Sequence, residues 1–188
     1  MKILVIDNYD SFTFNLVQLL GKYKKELLVL RNDEKNFELV KQFQPKKVLI
    51  SPGPGRPENS GLTLTVIQVF GNSIPILGVC LGLQAICYLF GTEIVNANEI
   101  YHGKTSEIEH DGKTIFADIP QKFEAMRYHS LVVKEDTLPE EIEISARADS
   151  GEVMAIRHKI YPIEGIQFHP ESVLTLAGRR IIENWLNL

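Results

Sequence analysis

Cys80 stands in Gly78-Val79-Cys80-Leu81-Gly82, where an apolar run gives way to a helix-period segment. In a G-x-nucleophile-x-G pattern the central residue sits on a sharp strand-to-helix turn. The glycines allow close packing and unusual backbone angles, and the central side chain is pushed out above a sheet. Just beyond, "LQAICYLF" places Leu83, Ile86 and Phe90 at helical spacing, with Gly91 as the residue after the helix end. Cys80 is therefore expected at a helix N-terminus, where the partial positive charge favours thiolate and free N–H groups can bind a developing oxyanion. The chemistry on offer is nucleophilic attack by sulfur. A buried structural cysteine is the competing reading, because free cysteine is among the most buried residue types; Cys87, further along the same helix, has only that reading.

A thiol nucleophile also needs a base, a group that orients the base, and an oxyanion pocket. "GIQFHPES", residues 165–172, offers the first two. Pro170 pushes His169 into an extended conformation, and in extended chain residues two apart face the same way, so His169 and Glu171 are aimed at one side together. The carboxylate can then fix the imidazole while the other ring nitrogen reaches the sulfur. His102, His110, His129 and His158 show no comparable partner in the sequence. "SPGPGRP", residues 51–57, supplies a stiff loop after the apolar run "KKVLIS", and its glycine N–H groups can be approached closely by a negative oxygen. Taken alone it is weak evidence, because most such loops are only turns.

Three segments so far apart need a scaffold. The chain has 188 residues, 44% hydrophobic and 23% charged, enough for one sizeable core and one domain, residues 1–188. A net charge of −4 leaves no electrostatic footprint for nucleic acid or an anionic membrane. The opening "MKILVIDNYD" is too short an apolar run for a secretory core, and no stretch reaches the ~20 apolar residues of a membrane span, so a cytoplasmic protein is expected. The two cysteines suggest no disulfide framework, and no cysteine or histidine cluster has metal-ligand spacing, so no metal or cofactor is expected.

Through residue 90, strand-like runs ("KILVID", "LLVLR", "KKVLIS", "IPILGV") alternate with helix-period segments ("SFTFNLVQLLGKY", "NFELVKQFQ", "GLTLTVIQVFG"). Uninterrupted apolar strands imply a parallel sheet covered on both faces. The expected fold is a three-layer, flavodoxin-like α/β domain with a mostly parallel sheet. The second half reads as strands over "TEIVNAN", "KTSEIEHDGKTIF", "FEAMRYHSLVVK", "IEISARA", "VMAIRHK" and "IEGIQFH", with hairpin signals at "HDGK" and "DSGE". An additional antiparallel segment is therefore expected before the last sheet strand and a closing helix in "LAGRRIIENWLNL". In "DNYDSFT", Asp10 or Ser11 is a candidate N-cap for the first helix, with an interface role for the stretch as the equal alternative, and "RNDE" at 31–34 reads as a polar strand end.

The motifs "GVCLGLQA", "HPE" and "SPGPG" resemble those of the class I, triad-type glutamine amidotransferases, and "IDNYDSFTFN", "HGKT", "RYHSL" and "IEGIQFHPES" resemble the small subunit of anthranilate synthase or 4-amino-4-deoxychorismate synthase. The similarity runs from Met1 to the C-terminal helix. It implies that Cys80 attacks the side-chain amide of L-glutamine, that His169 transfers protons, and that Glu171 orients His169. It also implies oxyanion donors at the N–H groups of Leu81 and Gly55, and glutamine contacts at Gly53, Pro54, Gly55, Gln84, Ser130 and Leu131. The implied partner is a larger chorismate-binding synthase subunit, in a heterodimer or heterotetramer; magnesium belongs to that partner, so none is expected here. Two positions depart from the family pattern. Leu83 stands where histidine is usual, and Tyr101 precedes "HGKT" where methionine is common. Other readings are a stand-alone cysteine hydrolase of the same fold and a non-catalytic, flavodoxin-like regulatory module.

Overall fold

The apolar runs of the first half become β1 (Lys2–Asp7), β2 (Glu26–Arg31), β3 (Lys47–Ile50) and β4 (Ile76–Val79), separated by α1 (Thr13–Gly21), α2 (Phe37–Phe43) and α3 (Leu62–Phe70). A computed structural model describes residues 1–188, apart from the side chain of residue 98. After α4 (Leu81–Leu89) come β5 (Ile94–His110), β6 (Phe123–Val133), β7 (Ile142–Ala148), β8 (Val153–His158) and β9 (Ile163–Ile166), and α5 (Gly178–Asn187) closes the chain. All nine strands form one sheet, in the order β2-β1-β3-β4-β9-β8-β7-β5-β6. Pairing is parallel from β2 through β9 and antiparallel from β9 to β6, so the antiparallel segment continues the parallel sheet.

Alternation along β1 shows why helices lie on both faces. Ile3 and Val5 belong to one core with Leu16 and Leu20 of α1 and Ile181, Ile182 and Trp185 of α5. Leu4 and Ile6 face a second core with Val40 of α2, Val66 and Ile67 of α3, and Leu83 and Ile86 of α4. Every one of these side chains is at most 3% exposed. A strand whose two faces are both apolar is stable only between two helical layers. This is the three-layer arrangement expected from the sequence, and it brings the C-terminal ends of β1, β3, β4 and β9 to one edge of the parallel sheet.

In the antiparallel half, Arg157 on β8 bonds Glu164 on β9 at 3.1 Å and Glu143 on β7 at 2.8 Å, and reaches Asp111 at 2.8 Å. One guanidinium thereby pins three strands and the turn after β5.

Three local expectations are corrected. The segments expected at 92–98 and 104–110 join into one strand that begins at Ile94, because β5 passes through Gly103 at φ +71° with a register shift against β6 between His102 and Lys104. An extra residue in left-handed conformation is how a bulged strand bends without ending. Residues 114–116 leave the strand as a 3-10 turn, so "HDGK" opens a longer connection, whereas "DSGE" closes the β7–β8 hairpin through Ala148 N–H to Glu152 O at 3.0 Å. The first residue outside α1 is Phe12, with no side-chain cap; the Asp10 carboxylate instead accepts the Phe12 N–H at 2.8 Å, one residue ahead of the helix.

Candidate active site

Cys80 adopts φ 52° and ψ −102° between β4 and α4. A non-glycine residue held there carries strain of about 1–3 kcal/mol, so surrounding bonds must impose it. They do: its N–H donates to Ile166 O on β9 at 2.8 Å, and its carbonyl accepts from Gln84 N–H at 3.1 Å. The flanking glycines are required by close approach. A Cβ on Gly78 would lie 2.5 Å from the Gly82 backbone, and one on Gly82 would lie 2.8 Å from Ile50 O. Helix α4 therefore presses on β3 and β4, and the elbow forms where the sheet edge meets the helix N-terminus. The Leu81 N–H is the first of this helix, among the donors that no intrahelical acceptor can reach.

His169 follows β9. Its N–H donates to Met126 O on β6 at 3.0 Å, and its carbonyl accepts from Thr175 Oγ1 at 2.7 Å. The same Thr175 hydroxyl oxygen accepts the Met126 N–H at 3.0 Å, so one residue clamps the loop to the sheet. His169 Nδ1 lies 2.6 Å from Glu171 Oε1, both side chains being 1% exposed. Phe12 and Tyr128 meet the imidazole edge-on, with ring centroids at 6.0 and 6.3 Å. Nε2 is buried with no hydrogen-bond partner among the described residues. Burial works against a charged ring here, but the neighbouring Cys80 sulfur and the Glu171 carboxylate outweigh it and raise the imidazole to about 10.

The residues singled out in the sequence meet around one cleft of about 380 Å³. Cys80, Gln84 and His169 line it together with Gly53, Pro54 and Gly55 from the loop after β3 and with Ser130 and Leu131 from β6. Gly53 has its place by contact, since a Cβ there would lie 2.5 Å from Asn8 Cβ and 2.8 Å from Leu81 Cδ2. Gly55 sits at φ +80° with open space around it. Leu81 and Glu171 do not line the cleft; Glu171 lies behind it, bonded to His169. Cys87 is fully buried, and burial pushes its thiol up to about 12. Leu83 is fully buried and does not line the cleft; it belongs to the core of α2, α3 and α4, packed 3.1 Å from where a Cβ of Gly165 would stand.

Some of the site is not evident from the sequence. Gln167, fully buried, donates from Nε2 to Cys80 Sγ at 3.4 Å and accepts at Oε1 from Gln84 Nε2 at 3.1 Å. Its position two residues before His169 in an extended segment is the available signal. Arg127 donates from Nε to His129 Nε2 at 3.1 Å, again two apart on a strand. Tyr9, Asp10, Ser11, Tyr101 and His102 also line the cleft. Asp10 is half-buried, and burial pushes its carboxyl up against the Phe12 N–H that favours its ionised form.

Residues 4–188 match the family model for glutamine amidotransferase class-I. The Bifunctional protein TrpGD of Thermotoga maritima is 52% identical over 189 residues, covering all of this chain but 32% of that protein. The chain thus spans about a third of that relative. It is 50% identical over 184 residues to the Aminodeoxychorismate/anthranilate synthase component 2 of Bacillus subtilis, covering 98% of this chain and 95% of that one. Among solved structures, a Thermoplasma acidophilum protein described as part of a GMP synthase superposes with a TM-score of 0.88 at 26% identity, covering all of this chain and 92% of that one. With the family model spanning nearly its whole length and a full-length relative at half identity, the chain belongs to the class-I glutamine amidotransferases.

Proposed function

We propose that this chain is the glutamine-hydrolysing component of a chorismate-aminating synthase, a single amidotransferase domain that works in the cytoplasm and hands ammonia to a larger partner. The observation that carries this reading is the Cys80 elbow opening on the same cleft as His169, with Glu171 bonded to the far ring nitrogen at 2.6 Å. The relatives' names, component 2 of anthranilate and aminodeoxychorismate synthases, support the choice of partner.

In this mechanism the Cys80 thiolate attacks the side-chain amide carbon of glutamine, and the carbonyl electron pair moves onto oxygen. The N–H groups of Leu81 and Gly55 receive that oxyanion, the Leu81 donor at the positive end of α4. The His169 imidazolium protonates the amide nitrogen, the C–N bond breaks, and ammonia leaves a γ-glutamyl thioester on Cys80. His169, now neutral, takes a proton from water; hydroxide adds to the thioester, the C–S bond breaks, and glutamate departs. Glu171 holds the ring and stabilises its charge throughout. Gly53, Pro54, Gly55, Gln84, Ser130 and Leu131 hold the substrate. No metal or cofactor enters these steps.

The test is to mix the chain with the native large subunit, supply glutamine and chorismate, and measure glutamate release alongside the aminated product. Equimolar glutamate and product are expected, and the ortho or para position of the amino group identifies the pathway as that of tryptophan or folate. Glutamine-independent peptide cleavage would instead make it a stand-alone cysteine hydrolase, and complex formation without turnover a regulatory module.

A further inference from the structure

We infer that Gln167 is a positioning residue that holds Cys80 as a thiolate, oriented by a hydrogen-bond relay that begins at a backbone carbonyl of the substrate-binding wall. The inference rests on Cys80 being the nucleophile proposed above.

Amide groups can be turned end for end without changing their shape, so their direction has to be argued from their partners. Leu131 O can only accept, and it lies 3.1 Å from one terminal atom of Gln84, which must therefore be the NH₂ nitrogen. That same nitrogen lies 3.1 Å from a terminal atom of Gln167, which must be an acceptor and hence Oε1. The remaining terminal atom of Gln167 is then the NH₂ nitrogen, and it faces Cys80 Sγ at 3.4 Å. An N–H aimed at sulfur stabilises the thiolate more than the thiol. With Gln167 fully buried and Gln84 3% exposed, water does not compete for these bonds.

The relay's starting carbonyl is itself fixed. Arg127 Nε–H can only donate, so His129 Nε2, 3.1 Å away, is the accepting nitrogen and Nδ1 carries the proton. That Nδ1–H points to Leu131 O at 3.1 Å. Burial first, and the Arg127 charge second, lower His129 to about 4 and keep the ring neutral, as this pattern requires. Leu131 O thus takes two donors. Tyr101 packs against both groups, its ring stacked on His129 with centroids 5.4 Å apart and the Arg127 guanidinium carbon 3.3 Å from its centroid. The chain of contacts therefore runs from the β5 wall of the cleft to the sulfur, through polar groups whose directions are all determined.

The test is the pH dependence of Cys80 alkylation by iodoacetamide in the free chain, with Cys80→Ala defining the background from Cys87. Gln167→Met keeps the length of the side chain and removes the donor. The midpoint of the rate-against-pH curve is expected to move up by about one unit, a tenfold loss of thiolate at neutral pH, with glutaminase kcat falling and KM for glutamine little changed. A side chain that served only to fill space would change the melting temperature and leave the midpoint where it was. An unchanged or lowered midpoint in folded Gln167→Met overturns the relay. Should that variant fail to melt cooperatively, Gln84→Met gives the same readout: an upward midpoint supports the relay and an unmoved one overturns it. Glutamine turnover surviving in Cys80→Ala would overturn the proposed function instead, so the two failures are distinct.

Discussion

His169 Nδ1 and Glu171 Oε1 lie 2.6 Å apart in a region where both side chains are 1% exposed, while Nε2 of the same ring is left without a partner among the described residues. The carboxylate therefore touches only the side of the imidazole that does not face sulfur or substrate. In the proposed reaction its part is to orient the ring and stabilise its charge, with proton transfer left to His169.

From this division of labour, Glu171→Gln is expected to lower kcat for glutamine hydrolysis by roughly 10²–10⁴-fold, and His169→Ala by more, as in triads where the orienting acid costs less than the base. Steady-state glutaminase kinetics of the two variants in complex with the partner check this. Equal loss in both would mean that the acid does more than orient.

The position of His169 also depends on a glycine further along the chain. A Cβ on Gly178, at the start of α5, would lie 1.9 Å from Pro170 O and 2.7 Å from its carbonyl carbon. Backbone atoms cannot give way there without displacing the 169–171 segment. Gly178→Ala is expected to cost about 1–3 kcal/mol of stability by overpacking and to lower kcat at the same time. Urea unfolding and glutaminase assays on one preparation would show whether both fall together.

The two glycines of the β3 loop should respond differently to substitution. Gly53→Ala places a methyl 2.5 Å from Asn8 Cβ and 2.8 Å from Leu81 Cδ2, beside the first N–H of α4. Gly55→Ala meets nothing within 4 Å and is disfavoured only by its φ of +80°, a cost of about 1 kcal/mol. Gly53→Ala is therefore expected to raise KM for glutamine and lower kcat more than Gly55→Ala does, as substrate-dependence curves will show.

Acid should weaken the fold through His129. Its folded-state value is lowered to about 4 from an ordinary 6.5, chiefly by burial and then by Arg127. Between those values the unfolded chain binds a proton that the folded chain refuses. Stability contributed by this group is complete above about pH 6.5 and is lost as pH falls, by at most about 1.4 kcal/mol per unit. His129→Gln should flatten the stability-versus-pH curve between pH 6.5 and 4 by one proton's worth. Parallel slopes in the two proteins would contradict the assignment.

Much of this is legible in the residues themselves. Gly78, Cys80 and Gly82 announce a turn, and Pro170 makes His169 and Glu171 share a side, because both effects depend on neighbours in sequence. The same two-residue rule applies to Gln167 with His169 and to Arg127 with His129. What hides Gln167 is that its partners, Cys80 and Gln84, come from the β4–α4 turn and from α4, and nothing local says which side of the segment after β9 meets them. The joining of 92–98 to 104–110 is hidden because the two runs are separated by residues 99–103 in the sequence, and only pairing with β6 on both sides of Gly103 makes it a bulge. Asp10 reads as a cap for α1, yet its carboxylate is taken by Phe12 N–H before the helix begins.

The central claim is that one sulfur does the chemistry, and the most direct measurement is made on the reconstituted complex carrying Cys80→Ala. Product formation from chorismate should vanish with glutamine as nitrogen source and continue at the unsubstituted rate with ammonium salts, since the partner's chemistry is untouched. Glutamine-dependent product at an undiminished rate in that complex would contradict the account.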